Sequence, residues 1–156
     1  MRRQQYPFGS RPSKRFLPAV LAVFVLLFIS AAARSQTTNP VEAVAVGFLR
    51  TLDTGDLDSL YDKSASPVLQ QSMSRKTFTQ QAGAYKINWG GPAKSRQLVG
   101  SQELDQVPGS TTKGEFYYFR YKTSFPNVVL YQDVLLEKVS GSWKVSGLWF
   151  LPVPQQ

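Results

Sequence analysis

The chain contains no cysteine and no histidine. Without cysteine there is no disulfide, no thiol nucleophile and no acceptor for lipid attachment behind a leader, so an exported form must hold together by its core alone. Without histidine, imidazole general-base catalysis and Ser-His-Asp triads are excluded, and a zinc site of the usual kind lacks its ligands. No P-loop and no G-x-G-x-x-G stands at a strand–helix junction. The residues therefore point to no cofactor, no metal and no catalytic side chain. Acids are also missing from the first 34 positions, where six of the 18 basic residues fall: Arg2, Arg3, Arg11, Lys14, Arg15 and Arg34. Beyond them twelve basic residues nearly balance the ten acidic ones, so the net charge of +8 belongs to the leader. A dense cationic face for nucleic acid is absent from the body, which argues against a nucleic-acid partner.

The leader has a recognisable layout. A basic stretch ending K-R precedes F-L-P-A-V-L-A-V-F-V-L-L-F-I-S-A-A-A, an uncharged apolar run closed by small residues. This is the pattern of a secretory signal peptide over residues 1–35, with cleavage expected after Ala33 or Ser35. The competing expectation is an uncleaved anchor, since Phe16 to Ala33 is 18 residues and borders on spanning length. Only that version gives the protein a membrane partner. The expected location is periplasmic or secreted, with an inner-membrane anchor as the alternative. Residues 36–39 read as a linker, 40–152 as one domain and 153–156 as a tail.

Asn39-Pro40 suits the start of a helix, with Asn39 as its cap. Val41, Val44, Ala45, Phe48, Leu49 and Leu52 continue it as an apolar stripe, and Gly55 ends it. D-T-G-D-L-D-S-L-Y-D at 53–62 holds four of the ten acids. A calcium loop would need glycine and glutamate where this run offers Tyr61 and Pro67, so it reads as a helix junction. There Asp56 caps a second helix, Asp58 occupies its positive first turn and Asp53 lies in the solvated link. Pro67 is expected to close that helix. Ser74 caps a third, carrying Phe78, Ala82 and Tyr85 as far as Gly90-Gly91.

After Pro92 come four segments rich in aromatic and branched residues: 94–104, 115–125, 128–139 and 143–151. The fold class expected is α+β, with three N-terminal helices packed on one face of a four-stranded antiparallel meander. Two-residue turns at Pro126-Asn127 and Ser140-Gly141 fix the registers. Tyr121 then faces Gln132, Arg120 faces Asp133, Glu137 faces Lys144, Leu136 faces Val145, and Gln132 faces Trp149. One sheet side collects the rings; the other sets Arg120 against Asp133 and Glu137 against Lys144. Gln132 is left as the polar group on the apolar side, with Tyr121 and Trp149 as its nearest partners. It is either a satisfied core amide or the polar floor of a ligand pocket. The candidate pocket comprises Tyr61, Phe78, Tyr85, Trp89, Tyr121, Gln132 and Trp149. K-G-E-F-Y-Y-F-R at 113–120 departs too far from an RNA-recognition strand to carry that function.

The stretches F-L-R-T-L-D-T-G-D-L-D-S-L-Y-D, G-P-A-K-S-R-Q-L-V-G and L-E-K-V-S-G-S-W-K-V-S-G-L-W resemble the bacterial family called domain of unknown function 4019. That family looks like part of the nuclear-transport-factor-2-like, cystatin-like superfamily. The resemblance implies a curved, cone-like sheet wrapped by helices, usually in exported proteins, and no known reaction. It also implies a glutamate in the third strand near the positions Gln132 and Asp133 occupy here. The expected function is an exported, non-catalytic domain binding a small apolar molecule or a protein partner, with a homodimer possible. The alternative is a cone-pocket isomerase or dehydratase using carboxylate–tyrosine chemistry.

Overall fold

Asn39 opens the first helix: its Oδ1 accepts from the Val41 amide at 2.9 Å, and Pro40 occupies the first turn, where no amide partner is needed. The structure, a computed structural model, describes residues 39–107 and 111–154. The expected leader and most of the linker lie outside the described residues. Among the described residues four helices precede the sheet: α1 (Pro40–Thr54), α2 (Leu57–Ser64), α3 (Pro67–Ser72) and α4 (Arg75–Trp89). No helix among the described residues is long and apolar enough to cross a membrane.

Each helix start is a side-chain cap. Asp56 accepts from the Asp58 and Ser59 amides at the head of α2, and Ser74 accepts from the Thr77 amide at the head of α4. The acid run is thus a helix junction, as expected, with Asp62 paired to Arg75 at 2.6 Å. Asp53 is the exception. Its side chain is turned inward and nearly buried against Arg96, so it does not lie in a solvated link.

The count of three helices is corrected to four. Pro67 does not close α2, which ends where the Ala65 amide reaches the Tyr61 carbonyl. It instead begins α3, capped by the Ser66 hydroxyl at the Leu69 amide. A proline fits the first turn of a helix as readily as it stops one, and the serine before it decides between the two.

The strands β1 (Ser95–Gln106), β2 (Lys113–Ser124), β3 (Val129–Val139) and β4 (Ser142–Pro152) form one antiparallel meander in the order β1-β2-β3-β4. The sheet is open, with β1 and β4 as its edges, and does not curve into the expected cone. Curvature and closure come from bulges and glycine kinks placed through a sheet. Here extra residues sit in β1 at Val99, at the start of β2 before Phe116 and in β4 at Ser146, while the central β2–β3 pair runs unbroken from Phe116↔Glu137 to Ser124↔Val129.

The helices cover one sheet face. Ala45, Phe48, Leu49 and Leu52 of α1 meet Phe119, Tyr121, Val134, Leu136 and Val145 in the core. The β2–β3 register is the one expected from alternation. The β3–β4 register agrees only from the turn, where Ser140 and Gly141 both have positive φ, to Leu136↔Val145. Beyond that a bulge at Ser146 slips the pairing by one, so Gln132 faces Phe150 and Asp133 faces Trp149.

Candidate functional site

The slip at Ser146 redistributes the expected pocket residues. Because strand side chains alternate, one extra residue exchanges the faces of everything beyond it. Phe150 and Leu148 turn toward the helices, while Trp149 points to the face that no described helix covers and is 47% exposed. Its indole lies over Gly147, in space that a Cβ there would need. Trp149 is therefore on the opposite side of the sheet from Gln132.

Of the other expected residues, Phe78 and Tyr85 come together. They line a groove of about 60 Å³ between α3, α4 and β4, together with Leu69, Met73, Leu148 and Phe150, and with the exposed Gln81 among its walls. Trp89 stacks on Tyr85 at 4.9 Å and meets Phe150 edge-on at 4.6 Å, which fixes the base of α4 on β4. Tyr61 lies behind the groove against Phe78, with its hydroxyl donating to the Met73 carbonyl.

Tyr121 and Gln132 are adjacent across β2 and β3, but in a separate place beneath α1. There the Arg96 Nε donates to Gln132 Oε1 at 2.8 Å and the Thr123 hydroxyl donates to the same oxygen at 2.7 Å. The Arg96 Nη2 reaches both Asp53 carboxylate oxygens at 2.8 and 2.7 Å and the Leu49 carbonyl near the end of α1. Gln132 is thus partnered by Arg96 and Thr123, not by Tyr121 and Trp149. Its Nε2 and the Tyr121 hydroxyl are both buried without a hydrogen-bond partner. Burial, and next the Glu42 carboxylate, push the Tyr121 hydroxyl well above the ordinary tyrosine range, with Arg96 pulling the other way. Tyr121 stays a neutral donor.

The face that no described helix covers holds a second polar arrangement. Asp133 is 4% exposed, gripped by Arg120 through two bonds of 2.8 and 2.6 Å. The guanidinium carbon lies 5.9 Å from the Tyr118 ring and 5.4 Å from the Tyr131 ring. This is the outward pairing expected from the register. The expected Glu137–Lys144 contact does not form, although the two are register partners: the Lys144 ammonium donates to the Lys63 carbonyl instead.

Burial pushes the Tyr118 hydroxyl up to about 12, with hydrogen bonding to Asp133 and its charge adding to the shift. A tyrosine raised in the folded state stays protonated where the unfolded chain already ionises. Tyr118 therefore stabilises the fold below pH 10 and loses that contribution as pH rises toward about 12. Ultraviolet titration of the Asp133→Asn variant is expected to show this tyrosine ionising closer to 10 than in the parent.

Among the participants that were not anticipated are Arg96, Phe150 and Leu148. The mid-strand V-S-G sequence at 145–147 is the available signal for the last two, since an interior glycine marks a bulge. For Arg96 nothing local signals a contact with Asp53, 43 residues earlier in the chain.

Residues 44–148 match the family described as Protein of unknown function (DUF4019). No curated protein and no solved structure matches the chain.

Proposed function

The chain belongs to the DUF4019 family of proteins of unknown function, and from that premise we propose that it is an exported, non-catalytic recognition domain. It seats one apolar side chain of a protein partner in the groove between α3, α4 and β4. The observation that carries this reading is the size and lining of the groove. Sites for small organic ligands occupy roughly 300–1,000 Å³, and even benzene fills an apolar cavity of about 150 Å³. A space of about 60 Å³ walled by Phe78, Tyr85, Leu148 and Phe150 suits the tip of one side chain better than a whole small molecule. The basic, then apolar leader supports export.

A photo-crosslinking residue at Gln81, in the full chain in its own cell, is expected to capture a defined protein, and Ala82→Phe, which fills the groove, to abolish the capture. Capture unaffected by the filled groove, or thermal stabilisation by small apolar molecules in place of it, would overturn the proposal.

A second reading, isomerase- or dehydratase-type chemistry between a carboxylate and a tyrosine, is favoured by the action of the Glu42 charge on Tyr121. Tyr121 is only 2% exposed, which gives a substrate no path to its hydroxyl, so recognition stands first.

A further inference from the structure

The groove runs beside an unprotected sheet edge. Ala65 bridges to Val145, and the Ser66 amide donates to the Val145 carbonyl at 2.8 Å, so the outer edge of β4 is covered at Val145. Beyond Val145 no described strand pairs with that edge. The open stretch reads G-L-W-F-L-P, residues 147–152, without a charge. Edge strands normally carry devices that block further pairing, such as charges, bulges and prolines. The opposite edge, β1, has them: a bulge at Val99, and Glu103 and Asp105 along its length. The open half of β4 has the Ser146 bulge at its start and Pro152 at its end, with no charge between them. Trp149 and Leu151 stand exposed on one side of it, and the groove floor of Leu148 and Phe150 lies on the other.

We propose that β4 accepts an added strand: an extended segment of the partner pairs with residues 147–152 and drops one apolar side chain into the groove. This rests on the recognition reading above and specifies how the partner is held. Main-chain hydrogen bonds supply affinity in this mode, and pockets for alternate side chains supply selectivity. A second copy of the chain fits poorly. In a β4–β4 pairing the inward residues of the incoming strand are Leu148 and Phe150, and Phe150 is already committed to its own Tyr85 and Trp89. The groove would stay unfilled.

Charge narrows the partner further. Between Asp62 and Glu103 the sequence contains no acid, and α4, which forms one wall of the groove, carries Lys76 and Lys86 beside an Arg75 already paired to Asp62. The segment that docks there is apolar at every second position and carries acidic residues between or beside them.

Phage-displayed random peptides selected on the full chain test this directly. The expected winners show apolar residues two apart with flanking acids, and weaken as salt rises. Methylating the backbone nitrogen of a selected peptide, one residue at a time, is expected to cost about tenfold or more in affinity at alternate positions and little between them. A uniform response to methylation, with binding still lost in Ala82→Phe, would overturn strand addition while leaving the anchor groove intact. Peptides indifferent to Ala82→Phe, or none selected at all, would overturn both. Concentration-dependent dimerisation abolished by Trp149→Pro would assign the edge to a second copy and also overturn the proposal.

Discussion

Arg96→Ala is expected to lower the unfolding free energy by about 3–5 kcal/mol, seen as a lower urea midpoint at unchanged slope. The size follows from what the substitution leaves behind. Arg96 and Asp53 are side chains only 13% and 9% exposed, so removing the guanidinium strands a carboxylate away from water. It also takes one of the two donors from Gln132 Oε1, leaving the Thr123 hydroxyl, and removes the guanidinium contact from the Leu49 carbonyl. Asp53 sits in the last turn of α1, where the helix dipole disfavours an anion, and Arg96 offsets that. A buried pair is costly to break but not costly to replace. Arg96→Met combined with Asp53→Leu is therefore expected to recover most of the loss. A double variant no more stable than Arg96→Ala would show that the cluster contributes by positive attraction, and not merely by mutual neutralisation.

This cluster also marks where sequence reasoning stops. The caps at Asn39, Asp56 and Ser74 are chemistry between residues two or three apart, and each is visible as a polar residue before an apolar period. Alternation in β2 and β3 carries as far, because nine consecutive pairs without a bulge leave the two faces unmixed. The outward Arg120–Asp133 pair follows from that regularity. Asp53 and Arg96 obey no period. One ends a helix and the other begins a strand, and only the placing of α1 across the sheet brings them together.

Pro67 failed as a signal for a different reason. Its ring satisfies either a helix end or a helix beginning, and the Ser66 cap that resolves the choice acts within a tetrapeptide short enough to pass as a loop. The sheet's shape was beyond local reading as well. Closure depends on where bulges fall among strands, and these lie in β1, at the start of β2 and in β4, outside the unbroken β2–β3 pairing. The groove inherits the same difficulty, since its floor of Leu148 and Phe150 is decided by a single bulged residue.

That bulge yields the second large effect. Phe119 and Trp149 would share the inner face if β4 alternated without interruption. In the structure Phe119 is 1% exposed, stacked between Tyr117 and Tyr121, while Trp149 lies on the far side of the sheet. Phe119→Ala is accordingly expected to cost about 3–5 kcal/mol through lost burial and the cavity left among close-packed neighbours. Trp149→Ala removes a larger ring but is expected to cost about 1 kcal/mol or less, since nearly half of its surface is already wet and its contact over Gly147 can relax. Urea unfolding of the two variants side by side decides the matter. If Trp149→Ala proves as damaging as Phe119→Ala, the strand runs on without its bulge. Phe150 then turns outward, the groove between α3, α4 and β4 loses the ring that forms its floor, and the anchor site goes with it.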